Sequence, residues 1–301
     1  MTEQMLPPPP IDNNGVIPSA APEAGAFAPA ALPPATPPAT GPAPVRLAGW
    51  PGVPLTSVTW GWRSALGIAF LAVTMNGLLA SLAAMPAVRK FIRSAVASLP
   101  VADRSAGLWV GILVVSLVSY AAFLAAAFVG VKLKHAKLAP ALGLRRGRLW
   151  PCIGLVVAGV WIGFGVDIAF SITTVALKLH VPDTNAQLLI RGGKSPLGLV
   201  VVFLLVAVIA PVAEEILFRG VVFSGLRDSW GEGWAIAVSS VLFGVMHLQP
   251  LLMIPTAILG VLLAKTFSAT RSLWASIALH SAYNAAIMGF GLLALRATGK
   301  M

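Results

Sequence analysis

From about residue 60 onward the chain alternates between apolar stretches of membrane-spanning length and short polar connections. A spanning helix needs about 20 largely apolar residues. By that measure the pattern predicts helices near 62–85, 108–131, 150–177 and 196–218. A short polar turn at 227–233 follows, then apolar runs near 234–247, 251–267 and 273–295, the first two separated by Gln249 and Pro250. Seven helices are expected, with six to eight as the range because the fifth is short. Trp62, Trp109, Trp150, Trp234 and Trp274 each stand near the opening of a segment, where an amphipathic ring belongs in the membrane interface. Gly154, Gly159, Gly163 and Gly165 in the third segment are expected to allow close helix contact.

Composition supports the same picture. Hydrophobic residues make up 57% and charged residues 10%, with a mean hydropathy of +0.87, against about 45–50% apolar and about 25% charged in ordinary globular chains. The expected fold class is all-α, a polytopic transmembrane helical bundle. The net charge of +11 sits mostly in the connections, as the positive-inside rule and anionic lipid favour, so the lipid bilayer is the expected partner and nucleic acid is not needed to explain it. The basic cluster from Lys132 to Arg148 argues for a cytoplasmic connection, while Arg89, Lys90, Arg93 and Arg104 then fall on the other side; an interfacial amphipathic helix over 88–100 would reconcile the two. Cys152 is the lone cysteine, which excludes intrachain disulfides and cysteine-rich zinc sites.

Residues 1–58 read differently. Fifteen of the 24 prolines fall within the first 55 residues, mixed with alanine, and such a segment cannot bury enough surface to offset its ordering entropy. It is expected to be a disordered tail, and it has neither the basic start nor the apolar core of a secretory signal peptide. The expected organisation is a tail at 1–58, amino-terminal transmembrane helices at 59–195 and a catalytic core at 196–295.

The improbable feature is an acidic pair. No ionisable side chain occurs from Leu197 to Ala213, and then Glu214 and Glu215 arrive inside an apolar helix. A carboxylate at membrane depth is costly unless paired, protonated or facing water, so its default reading is functional. Glu215 and Arg219 are four apart and are expected to pair on one helix face, leaving Glu214, about 100° away, as the candidate general base. His247 follows Phe243 by four and Asn284 follows His280 by four, so each pair also shares a face. An imidazole can polarise a water, and an imidazole with a carboxamide can donate to an oxyanion. Pro211 is expected to free a backbone carbonyl in the same helix.

Taken singly, these residues have plainer accounts. A buried histidine such as His280 more often packs than catalyses, Glu215 with Arg219 reads as structural, Asp167 in the third span as a bond to a neighbouring helix, and His135 and His180 as solvated loop residues. The conjunction carries the functional reading. Glu214-Glu215-x-x-x-Arg219, Phe243-x-x-x-His247 and His280-x-x-x-Asn284, in this order on successive apolar segments, resemble the three motifs of the CPBP family of intramembrane proteases, which includes CAAX prenyl endopeptidases and bacterial abortive-infection or bacteriocin-immunity proteins.

That resemblance implies an intramembrane endopeptidase in a bacterial inner membrane, acting on membrane-associated proteins or peptides, lipidated or not. Glu214 and His247 would activate water, His280 and Asn284 would stabilise the oxyanion, and Glu215, Arg219 and Phe243 would support the site. No metal is favoured, since the spacing lacks the HExxH that fixes two zinc ligands on one helical turn. Were zinc bound, Glu214, His247 and His280 would be its ligands. A non-catalytic scaffold or immunity protein of the same fold is one alternative. A proton-coupled transporter is another, against which stands the absence of a second equivalent half.

Overall fold

The computed structural model describes residues 60–101, 104–179, 190–193, 195–247 and 249–299; the tail at 1–58 and His180 lie outside them. The described elements are helices: α1 Trp62–Ala84, α2 Pro86–Ala97, α3 Arg104–Leu133, the single turn α4 Leu138–Ala141, α5 Leu149–Ala176, α6 Pro196–Trp230, α7 Glu232–Val245, α8 Met253–Thr270 and α9 Leu273–Ala297. Six of them, α1, α3, α5, α6, α8 and α9, are long and apolar enough to cross a membrane, and α7, at 14 residues, is a shorter apolar helix. The expectation of about seven helices in an all-α membrane bundle holds, and the outward faces remain apolar, with Phe70, Leu78, Trp161 and Ile172 exposed, as lipid requires.

Hydrogen bonds tie one end of the bundle together. Trp60 Nε1 donates to Ala141 O at 3.3 Å, Trp62 N to Ser229 Oγ at 2.9 Å, Ser272 Oγ to Arg145 O at 2.5 Å and Leu273 N to Gly143 O at 3.0 Å. The start of α1, the α4–α5 connection, the end of α6 and the α8–α9 turn therefore share this end. Beneath it Trp60, Val221, Phe223, Leu226, Phe267 and Leu273 form a buried cluster.

Three expectations need correction. The polar stretch from 227 is not a turn: α6 runs on to Trp230, because Leu226 is fully buried and Gly225 abuts Ala65, and the break falls at Gly231, whose φ is +83°. Trp109 is not an interface ring but a core side chain, seated in a slot that Gly198 leaves open; a Cβ there would stand 2.7 Å from the indole. Of the four glycines in α5, Gly159 and Gly163 meet Leu279 and Tyr283 of α9 at close range, while Gly154 and Gly165 face open space.

The helix that carries the acidic pair is irregular. Ser195 caps α6 by accepting from Gly198 N at 3.0 Å, with Pro196 in the first turn, as fits a residue with no N–H to satisfy. Two stretches, Leu204–Ile209 and Ile216–Phe223, are wound as π-helix, flanking a regular segment, Ala210–Glu215. Such π-bulges concentrate at functional sites because they leave backbone groups without their usual intrahelical partners.

Candidate active site

Adjacent residues on a helix point about 100° apart, and α6 uses this to send two carboxylates to two environments. Glu215 has none of its side chain exposed, whereas Glu214 keeps 18%. Glu215 is saturated. Arg219 Nη1 donates to Oε1 at 2.8 Å, Ser276 Oγ donates to Oε2 at 2.6 Å, and His280 Nδ1 lies 3.0 Å from Oε1. The ion pair expected from the four-residue spacing is therefore present, and it is one part of a buried network.

Arg219 extends that network. Its Nη2 donates to Gly260 O of α8 at 3.1 Å, and the guanidinium lies over the Phe243 ring of α7, 4.5 Å from its centroid. Phe243 also meets Phe218 edge-on at 5.1 Å and both imidazoles, His247 at 5.2 Å and His280 at 5.6 Å. One aromatic ring of α7 thus contacts the cation and both histidines.

Hydrogen-bond partners place a proton on both imidazole Nδ1 atoms, since a carbonyl or carboxylate can only accept. His247 Nδ1–H donates to Phe243 O at 2.9 Å, so Nε2 is left for other work. His280 Nδ1–H donates to Glu215, and its Nε2 faces Glu214 Oε2 at 3.9 Å, too far for a direct bond. Glu214 lies within electrostatic range of both imidazoles. His247 is exposed, Glu214 and Asn284 are half-buried and His280 is buried, so the polar centre opens past the end of α7. His280 lies about 10 Å along α9 from the first residue of that helix, by the rise of 1.5 Å per residue.

Asn284 is placed by the irregular backbone of α6. In the π-wound stretch Ala210 N bonds to Leu205 O, five residues back, so the next rung would join residue 211 to Val206 O. Residue 211 is proline and has no N–H. The carbonyl it leaves free is that of Val206, and Asn284 Nδ2 donates to it at 2.9 Å. The freed carbonyl expected from Pro211 is therefore found, and it orients a site residue from another helix.

The structure brings Glu214, Glu215, Arg219, Phe243, His247 and His280 together, with Asn284 one turn farther along α9. Two participants escape a reading by motif alone. Ser276 completes an i, i+4, i+8 stripe with His280 and Asn284, and that spacing was the available signal. Tyr283 donates a hydrogen bond to Asp167, so Asp167 does bond a neighbouring helix, and does so beside the site. His135 is an exposed turn residue with φ +50°. Among the described residues, no group of three or more His, Cys, Asp or Glu side chains stands in a metal-holding arrangement.

Comparison with known proteins gives the same region. A family model described as type II CAAX prenyl endopeptidase Rce1-like matches residues 196–286, which begin with α6 and end just past Asn284. A curated protein of Bacillus subtilis (strain 168), named "Putative membrane peptidase YdiL", is 26% identical over 137 residues, 45% of this chain and 53% of that protein. The chain thus matches about half the length of this curated relative. No solved structure matches. Residues 196–286, which hold all seven motif residues, are thus similar to the type II CAAX prenyl endopeptidase Rce1-like family, the one that the three motifs resemble.

Proposed function

We propose that this protein is an intramembrane endopeptidase of the glutamate type, hydrolysing peptide bonds in membrane-associated proteins or peptides. The observation that carries the reading is the division of labour between adjacent carboxylates. Glu215 is fully engaged by Arg219, Ser276 and His280, while Glu214 is partly exposed and its near polar neighbour, His280 Nε2, stands 3.9 Å away. A base must be free to reach a proton on water.

In the proposed reaction Glu214, with His247 Nε2 polarising the same water, takes one proton as the water oxygen bonds to the scissile carbonyl carbon. The carbonyl π electrons move to oxygen, and that oxyanion accepts from the second amide N–H of Asn284 and from Nε2–H of His280, which acts as an imidazolium with its Nδ1–H on Glu215. Collapse reforms the carbonyl and breaks the C–N bond. The proton held on Glu214 passes to the leaving nitrogen, giving a carboxylic acid and an amine and restoring the base. Glu215 and Arg219 take no proton; Glu215 holds Nδ1–H of His280 and fixes its ring. A substrate segment anchored in the membrane would reach the site from the bilayer, and the family description makes a carboxy-terminal, lipid-bearing segment the first candidate. The relative from Bacillus subtilis favours a bacterial cytoplasmic membrane as the location.

The test is Glu214→Gln in liposomes with membrane-anchored peptides. Hydrolysis is expected to fall by at least about 10²-fold with unfolding unchanged, because the substitution removes the base and no direct hydrogen bond. Wild-type turnover in this variant would refute the assignment, and flux of a solute driven by a pH gradient and abolished by Glu214→Gln would replace it with a transporter. The same preparation decides on zinc. Exhaustively chelated enzyme, shown by elemental analysis to hold substoichiometric zinc, is expected to keep its turnover; loss on chelation and recovery with stoichiometric zinc would make it a metalloenzyme.

A further inference from the structure

Between α1 and α3, the helix α2 has no buried residue. Its 12 residues span about 18 Å, too short to cross a membrane. Val88, Phe91, Ile92 and Ala95 follow an i, i+3, i+4, i+7 spacing, which gathers them on one face, and Phe91 is 73% exposed. Arg89, Lys90 and Arg93 occupy the opposite arc, and there they line a shallow cleft together with Pro86 and Ser94.

The nearby basic residues are not equivalent. Arg104 is held at the end of α2, donating from Nη2 to Ala97 O at 3.0 Å and from Nε to Leu99 O at 3.2 Å. It thereby serves the carbonyls that a helix end leaves without partners. No acidic residue lies in α2, and among the described residues none pairs with Arg89, Lys90 or Arg93. Three cations converging on a cleft, beside a hydroxyl and behind an exposed apolar face, complement a surface that is anionic above and hydrocarbon below.

We propose that α2 lies in the plane of the membrane and that the cleft on its basic face binds the phosphates of anionic phospholipid headgroups. Phe91 and Ile92 enter the acyl region while Arg89, Lys90 and Arg93 stay at headgroup level, the disposition of an interfacial amphipathic helix. The site is separate from the proposed catalysis and does not depend on it.

The experiment is native mass spectrometry of the full chain equilibrated with equimolar phosphatidylglycerol and phosphatidylcholine in mixed micelles. Wild-type protein is expected to retain phosphatidylglycerol preferentially, and R89Q/K90Q/R93Q to lose at least about fivefold of that preference. R89K/R93K keeps the charges and is expected to keep the preference, so a loss in the glutamine variant reports charge rather than misfolding. K134Q/K137Q/R146Q, which removes three cations elsewhere, is expected to leave it unchanged. Equal retention of the two lipids by wild type, or an undiminished preference in R89Q/K90Q/R93Q, would overturn the proposal. Displacement of phosphatidylglycerol by excess inorganic phosphate would also overturn it, by identifying an ion site.

Discussion

Removing the cation beneath the proposed site tests the account of Glu215 most directly. Arg219→Met keeps an unbranched apolar stem of similar volume and deletes the guanidinium. Three interactions go with it: the 2.8 Å ion pair with Glu215, the 3.1 Å bond to Gly260 O, and the stacking over Phe243 at 4.5 Å. Breaking one side of a buried ion pair typically costs about 3–5 kcal/mol, because the remaining charge is left uncompensated. An orphaned buried carbonyl costs about 1–3 kcal/mol, and a desolvated cation–π contact contributes about 2 kcal/mol. These do not add. Glu215 keeps Ser276 and His280 as donors, so the expected loss is about 3–5 kcal/mol in total, the scale of the ion pair itself. Reversible unfolding by SDS in mixed micelles reads it. Glu215→Gln/Arg219→Met is expected to lose less than the sum of the two single variants, with a coupling of about 0.5–3 kcal/mol. A loss within about 1 kcal/mol of wild type for Arg219→Met, less than removal of a buried ionic partner can produce, would refute the bracing role.

Two further substitutions test how the backbone and the α5–α9 contact place the site. Pro211→Ala restores an N–H that competes with Asn284 for Val206 O; turnover is expected to fall roughly fivefold, the value of about one hydrogen bond, with stability held or raised, and unchanged turnover would show that this bond does not position Asn284. Gly163→Leu puts a side chain where a Cβ alone would lie 2.6 Å from Tyr283; a loss of about 1–3 kcal/mol is expected from overpacking, while Gly165→Leu, facing open space, is expected to leave stability within about 0.5 kcal/mol, both read in the same unfolding assay.

Much of this protein is legible along the chain because a helix converts spacing into angle. Apolar runs of spanning length gave α1, α3, α5, α6, α8 and α9 to within a few residues at most ends, and i, i+4 spacing sufficed for the Glu215–Arg219 pair and the Phe243–His247 and His280–Asn284 faces. Where the sequence reading failed, composition competed with packing. The polar letters of 227–230 looked like a turn, yet the buried Leu226 holds that stretch helical. Trp109 matched the pattern of an interface ring, yet Gly198, 89 residues later, opened a slot that buries it.

What only the tertiary structure decided is which polar groups meet across helices. Sequence spacing paired Glu215 with Arg219, but the two further donors that complete the burial of Glu215, Ser276 and His280, come from 61 and 65 residues away. Pro211 announced a free carbonyl without naming its acceptor role, and the packing of α9 on α6 brought Asn284 to it from 78 residues away. Tyr283 reached Asp167 across 116 residues in the same manner. Covalent geometry fixes the direction of a side chain about its own helix axis, but the partner it finds depends on the rotation and depth at which a second helix packs, and those follow from the fit of all the side chains between them.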